Sequence, residues 1–401
     1  MFFIGVTRFS LHYPNAVGWN LTQLGLSEGE YKKRLFSPER LEPRWWIFSQ
    51  LTVPQLAIGS AGLQYRHVVQ VSPQLPAQYK VQLKQLAKQF PFLVISEEGT
   101  AANHREFLDS QIRLMSRKTD SSVFARFRLD DDDVLADDYF KQLTRYVKSE
   151  FVGFAVSFGS GFQTLLTGRV LSSFQRLHQP RNSMGLASIG RIGSNGQIIL
   201  ANYSNHARCD IEVPTILDSR RPLVLSIKHR GQDTYETKEA YGATQRAVTA
   251  SRLEPAVTVG EVSRYFSKLP DALPGYKLLY DEAVEIHLTP DPSAVRLKIS
   301  GPRYIEVILE YESQELGSDK RFFVSLPFQP EDVDWPWKKF QSNAIVAGIP
   351  YMKSGVQTLP CFIPEGVQLS SMTFWQSLAS GNSNRLNRVC VREILSGNRE
   401  K

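Results

Sequence analysis

Four consecutive carboxylates, Asp130–Asp133, end a stretch in which Val123, Ala125, Phe127 and Leu129 alternate with Phe124, Arg126 and Arg128. That alternation has the period of two expected of a strand. An acidic tip on such a strand suits a divalent cation, because hard ions such as Mg²⁺ and Mn²⁺ prefer carboxylate and phosphate oxygens. If the backbone stays extended, Asp130 and Asp132 point the same way, roughly 6–7 Å apart at a rise of about 3.3 Å per residue. Asp131 and Asp133 then point the other way. A cation held there can in turn hold a diphosphate. The competing reading is a solvated acidic turn capping the next helix, since Asp137 and Asp138 stand just before the helical run Phe140, Leu143, Val147.

His229 is the next candidate. It follows the apolar strand Leu223–Ile227 within the polar run KHRGQD, where its imidazole could join a metal shell. An exposed loop histidine is the plain alternative. The glycines of GLASIGRIGSNG match neither GxGxxG after a strand nor GxxxxGK[ST], so this segment reads as a hairpin with turns at Gly193 and Asn195–Gly196. No GxSxG or comparable setting supports a Ser–His–Asp nucleophile.

The elements that must position these residues alternate. Phe2–Ser10, His67–Ser72, Phe92–Ser96, the aspartate-tipped strand and Phe151–Phe158 read as strands. Between them, Arg44–Leu56 predicts a helix ending around Pro54, and Leu83, Leu86, Ala87 and Phe90 predict another at i, i+3, i+4 and i+7. Asn103 with Glu106 reads as an N-cap and capping box ahead of Phe107, Leu108, Ile112 and Met115. Alternating strands and helices imply right-handed βαβ units and a mostly parallel sheet, whose ligands gather at the carboxyl ends of the strands. The aspartates lie at one of those ends.

Thr234–Arg252 is polar and predicts a linker or flap. Beyond it come seven short β runs: Ala283–Leu288, Val295–Ser300, Tyr304–Glu312, Arg321–Phe328, Ala344–Ile349, Val367–Trp375 and Arg388–Leu395. They predict an all-β sandwich or jelly roll. Trp335, Trp337, Phe374 and Trp375 could stack on sugar rings there, or fill its core.

Composition narrows the partners. The 401 residues include 47 Lys and Arg against 40 Asp and Glu, a net charge of +7 and a pI near 9.2. Nucleotide diphosphates, acidic glycans or an anionic membrane face fit that balance. Nucleic acid does not, because no long basic run interleaved with aromatics occurs. Three widely spaced cysteines argue against a disulfide framework and for a reducing compartment. MFFIGVTRF is too short and wrongly flanked for a signal peptide, and no apolar run approaches about 18 residues. The expectation is a cytoplasmic protein that touches a membrane, at its inner face, only peripherally.

TRFSLHYPNAVGWN (residues 7–20), EYKKRLFSPERLEPR (30–44), IFSQLTVPQL (47–56) and RFRLDDDDVL (126–135) resemble the putative rhamnosyltransferase family of bacterial proteins, and PLVLSIKHRGQD (222–233) resembles the strand-then-His element of related enzymes. The resemblance covers roughly residues 1–240. It implies a GT-A glycosyltransferase: a Rossmann-like nucleotide-sugar domain whose DxD motif binds Mn²⁺ or Mg²⁺ and the donor diphosphate. Carried onto this chain, Asp130 lies near the donor ribose, with Arg8 and Asp131 on the donor side. Asp132 takes the metal, Asp133 is its nearest competitor, and His229 matches the position of a further ligand. RGQD after His229 departs from the HG-x-N that the family pattern implies. An inverting transfer needs a carboxylate to take the acceptor hydroxyl's proton; Asp210, Glu212 and Asp218 are candidates by position, and Asp218 precedes Arg220–Arg221, which would keep it ionised.

The resulting expectation is a GT-A domain over residues 1–245 and a β-sandwich over 255–401. The first would transfer a sugar, rhamnose by the family resemblance, from a nucleotide-diphosphate donor to a glycan or other hydroxyl acceptor of a bacterial polysaccharide. The second would bind the acceptor or form a homodimer contact. The alternative is a catalytically inactive glycan-binding or scaffold protein that keeps the fold.

Overall fold

The computed structural model describes residues 1–12, 27–229, 232, 257–269, 273, 275–313, 317–329, 344–351, 354–363, 365–376 and 384–395. The chain divides into two compact units. The first comprises Met1–Gln163, Leu177–Ile227 and Gly260–Asp271; the second comprises Thr164–Arg176, Lys228–Val259 and Ala272–Lys401.

The first unit opens with β1 (Phe2–Phe9), α1 (Glu28–Leu35), α2 (Pro38–Ile47), α3 (Val53–Gly59), β2 (Tyr65–Val71), α4 (Ala77–Gln89), β3 (Leu93–Glu97), α5 (Ala101–Thr119) and β4 (Val123–Arg128). β1 pairs in parallel with β2 and β4, and β2 with β3. β1 and β2 are buried at most positions because helices cover both faces of the sheet. Phe2, Ile4 and Val68 meet Leu108, Ile112 and Met115 of α5 on one side. Phe9, Val69 and Val71 meet Leu83 and Leu86 of α4 and Leu41 of α2 on the other.

The chain continues through β5 (Asp133–Leu135), α6 (Tyr139–Leu143), β6 (Ala155–Ser157), β7 (Ser160–Thr167), β8 (Val170–His178), β9 (Ala187–Ile192), β10 (Ile198–Leu200), α7 (Cys209–Glu212), β11 (Thr215–Leu217) and β12 (Val224–Lys228). The main sheet runs β11-β6-β9-β4-β1-β2-β3, with β10 beside β9. β9 is antiparallel to both β4 and β6, and β11 is parallel to β6. The carboxyl ends of β1 to β4, β6 and β11 therefore share one edge. The glycine-rich segment is a hairpin as expected: Gly193 N–H donates to Gln197 O at 2.8 Å, and Gly196 takes φ +77°.

Several boundaries differ from the sequence reading. The helix expected at Arg44–Leu56 begins at Pro38, passes through Pro43, widens into a π turn at Phe48–Thr52 and resumes as α3. Pro54 falls in the first turn of α3, where its missing N–H is harmless. The cap of α5 is Thr100, whose hydroxyl accepts from Asn103 N–H at 3.2 Å, so Asn103 and Glu106 lie inside the helix. The strand expected at Phe151–Phe158 is only β6, because Ser149–Phe151 winds into a 3₁₀ turn.

The second unit contains β13 (Gly275–His287), β14 (Ser293–Ser300), β15 (Arg303–Glu312), β16 (Gly317–Gln329), β17 (Ala344–Tyr351), β18 (Ser354–Ile363), β19 (Gln368–Gln376) and β20 (Arg385–Leu395). They form two antiparallel sheets, β13-β20-β15-β18 and β14-β19-β16-β17, around one shared apolar core. This strand order is that of a jelly roll. β18 escaped the sequence reading because Gln357 takes a core-facing position ahead of Leu359, Cys361 and Ile363, and Pro360 interrupts the run. The proline is tolerated because β18 is an edge strand. Phe374 fills the core and Trp375 stacks on Phe323 with ring centroids 5.5 Å apart. Trp335, Trp337 and the expected flap Thr234–Arg252 lie outside the described residues. No helix among the described residues is long and apolar enough to cross a membrane.

A polar chain crosses the centre of the main sheet. Thr7 Oγ1 donates to Leu129 O at 2.8 Å and therefore accepts from His67 Nε2 at 2.8 Å. His67 Nδ1 must then accept from Tyr65 O–H at 2.5 Å. Only glycine fits beside it, since a Cβ at Gly5 would come within 2.2 Å of His67 Nδ1. Burial lowers the His67 pKa from 6.5 to about 3. Below pH 6.5 the unfolded chain binds a proton that folded His67 refuses, so His67 makes the protein less stable as pH falls toward 3. We predict that His67→Gln removes about 2 kcal/mol of the stability difference between pH 7 and pH 5, at about 1.36 kcal/mol per pH unit below the unfolded pKa. Urea unfolding at both pH values checks this; an unchanged difference contradicts it.

Candidate functional site

β4 delivers the four aspartates to the shared carboxyl edge, where Leu129 N–H donates to Val6 O at 3.0 Å. The chain does not stay extended. Asp133 N–H returns to Asp130 O at 3.3 Å, and Asp133 opens β5, pairing antiparallel with Ser226 of β12. The expected same-side pairing of Asp130 with Asp132 is thus replaced by a tight acidic turn. Thr52 of the π turn pins it by donating to Asp133 O at 2.9 Å.

Two arginines brace the turn. Arg128 donates through Nε at 3.0 Å and Nη2 at 2.7 Å to Asp130 Oδ1, and Ser183 donates to Asp130 Oδ2 at 3.1 Å. Arg44, buried on α2, donates through Nη1 to Asp131 Oδ1 and places Nη2 3.4 Å from Asp132 Oδ2. Asp131 is 1 % exposed, and its Oδ2 has no hydrogen-bond partner among the described residues. Burial pushes its carboxyl up to about 7, against the pull of Arg44 and with Asp132 adding to the rise.

Asp132 and Asp133 are buried in the same turn, each 6 % exposed. Among the described residues no three His, Cys, Asp or Glu side chains converge into a ready-made metal cage. Mg²⁺ and similar ions are commonly held by one or two carboxylates with substrate phosphates completing the shell, and Asp132 and Asp133 supply hard oxygens of that type. Arg8 stands exposed near the carboxyl end of β1, in the strand next to β4. His229 directly follows β12, is buried, and belongs to the second unit; Arg230, Gly231 and Asp233 after it lie outside the described residues.

The three candidate bases separate. Asp210 is exposed in α7 and accepts from Arg181 Nη1 at 2.6 Å, which lowers its pKa. Glu212 accepts from Ser204 N–H at 2.7 Å and Ser204 O–H at 2.6 Å. Asp218 lines a cavity of about 210 Å³ with Gln142, Arg145, Arg220, Arg221 and Leu223. Its Oδ1 accepts from Arg220 Nε at 2.9 Å and Arg220 N–H at 3.3 Å; its Oδ2 accepts from Arg220 Nη2 and Tyr146 O–H, both at 2.8 Å. Arg220 above all, with Tyr146 assisting, holds this carboxyl far below the usual range despite partial burial.

Strand register locates the cavity. Ile216 pairs with Val156, Val156 with Ala187, and Ala187 with Phe127, so Asp218 lies level with Leu129 three strands away. At about 4.8 Å per strand this is about 14 Å along the carboxyl edge. Arg44 and Tyr146 were missed as site residues. For Arg44 a signal existed: with Arg40 it repeats at i, i+4 on the face that buries Leu41 and Ile47.

Removing the brace should expose its role. We predict that Arg44→Ala costs about 3–5 kcal/mol by leaving Asp131 buried without its cation. Adding Asp131→Asn should recover at least about 1 kcal/mol of that. Urea unfolding of both variants checks this, and a loss below about 1 kcal/mol in Arg44→Ala contradicts it.

A family profile described as "Putative rhamnosyl transferase" matches residues 3–241. A search of curated proteins finds no match. Among solved structures, a ruminal GH26 endo-beta-1,4-mannanase is 10% identical over 28% of this chain and 20% of its own, with a TM-score of 0.19. The endo-1,4-beta-D-xylanase 10B of Clostridium thermocellum is 8% identical over 30% of this chain and 29% of its own, TM-score 0.20. A 4-diphosphocytidyl-2C-methyl-D-erythritol synthase is 11% identical over 55% of this chain and 90% of its own, TM-score 0.24. The chain thus spans less than a third of the mannanase or the xylanase. The profile spans more than half of the 401 residues, and on that match the chain belongs to the putative rhamnosyl transferase family.

Proposed function

We propose that the first unit is a GT-A type transferase that moves a sugar from a nucleotide-diphosphate donor to a glycan hydroxyl. The observation that carries this reading is the braced acidic turn at the carboxyl end of β4, where ligands of parallel α/β sheets gather. Membership of the putative rhamnosyl transferase family supports a glycosyltransferase reading with rhamnose as the sugar.

In this reading Asp132 would hold a Mn²⁺ or Mg²⁺ ion, with Asp133 beside it in the same turn. Asp130, Asp131 and Arg8 form the donor side. When bound there, such an ion would neutralise charge on the departing diphosphate. The bond between the sugar's anomeric carbon and phosphate oxygen breaks with its electron pair leaving on the diphosphate. The acceptor oxygen forms the new bond, and its proton passes to a carboxylate.

Asp218 is our assignment for the acceptor side. Its oxygens already accept four hydrogen bonds, which fills a carboxylate's ordinary capacity. To take the proton, Oδ2 must exchange the Tyr146 hydroxyl for that of the acceptor. Asp210, exposed and paired with Arg181, is the weaker alternative. For the jelly roll we propose acceptor-glycan binding.

The saturation of Asp218 also favours a second reading, a glycan-binding protein that has kept the fold without the reaction. Donor hydrolysis separates the two. We predict that Mn²⁺ strengthens binding of uridine or thymidine diphosphate in calorimetric titration, and that Asp132→Asn weakens it at least about tenfold, as loss of a charged ligand implies. Slow metal-dependent release of nucleoside diphosphate from a nucleotide sugar should accompany it. Nucleotide binding indifferent to both Mn²⁺ and Asp132→Asn would overturn the transferase reading.

A further inference from the structure

The cavity beside Asp218 has a composition that a proton acceptor alone does not require. Three guanidinium groups, Arg145, Arg220 and Arg221, share it with one carboxylate. Asp218 fixes the fork of Arg220 through Nε and Nη2, leaving Nη1 without a carboxylate partner among the described residues. Arg221 is anchored by Asp138, 3.2 Å from its Nε. Arg145, on the 3₁₀ turn Thr144–Tyr146, is exposed and makes no ion pair among the described residues. Leu223 and Gln142 supply an apolar and an amide wall.

We infer that this cavity binds an oxyanion, a carboxylate or phosphate carried by the acceptor. A guanidinium presents several N–H donors in a planar fork that matches either group. At about 210 Å³ the cavity is smaller than the roughly 300–1,000 Å³ typical of drug-sized ligands. It suits one charged sugar or one phosphate group, not a nucleoside diphosphate. Its place, about 14 Å along the sheet edge from Leu129, also separates it from the acidic turn. The anion site itself stands on the cavity; only the word acceptor rests on the transferase reading.

The test uses the full chain without metal or nucleotide, titrated in parallel with glucuronate, glycerol phosphate and glucose as the neutral control. At least one anion should bind better than glucose, with affinity falling as salt rises. The arm that binds distinguishes an acidic sugar from a phosphate-bearing acceptor. Arg145→Gln, which removes an exposed and unpaired cation, should weaken the bound anion roughly tenfold, as loss of one charge-assisted hydrogen bond implies. Arg221→Gln should act in the same direction. Neither anion binding better than glucose, or affinity unchanged in both variants, overturns the inference. Nucleotide titrations of the wild type and Asp132→Asn report on the donor separately. Anion binding without nucleotide binding would keep this site and remove the transferase.

Discussion

An arginine buried against an acidic turn is the contact on which the site depends. Four adjacent carboxylates repel one another, and a turn that draws three of them out of water adds a desolvation cost. Arg44 reaches Asp131 and Asp132 from α2, and Arg128 holds Asp130 from within β4. Without these cations the turn could not stay folded and charged. With them, the carboxylates of the turn are held in one arrangement. That is the condition under which a carboxylate site binds a cation without first losing conformational entropy.

The scaffold explains why the brace can exist. The π turn between α2 and α3 puts Thr52 on the carbonyl of Asp133, while the helix before it carries Arg44 inward. On the other side, the chain from Tyr65 through His67 and Thr7 to Leu129 O ties β2, β1 and β4 together one residue before the aspartates. Such a network has a single consistent set of donors and acceptors, so it fixes register as well as contact. Gly5 is required beside it because no side chain fits.

Much of this architecture could be read from local pattern. The alternation of β1 to β4 with helices, the hairpin at Gly193–Gly196 and the β-rich second half all follow from periodicity and turn residues, which are local properties. The failures have physical causes. Pro43 and Pro54 look like helix breakers, yet a π turn and a first-turn position absorb them. Gln357 and Pro360 hide an edge strand whose apolar face is otherwise regular. The aspartates were readable as a group, but their turn was not, because it depends on Arg44, 87 residues away in sequence. The same holds for the cavity: Asp218 was marked by its arginine neighbours, whereas Tyr146 reaches it across 72 residues. Distant partners leave no periodic trace.

We read the acidic turn as a holder of a cation against a diphosphate. Paramagnetic broadening by Mn²⁺ tests it most directly, on methyl-labelled full-length protein with uridine or thymidine diphosphate present. If the turn holds the ion, the methyl resonances of Leu129, Val134 and Leu135 broaden first, before those of Leu83, Leu108 and Ile112 in the helices. Uniform broadening, or broadening centred away from the turn, would contradict it.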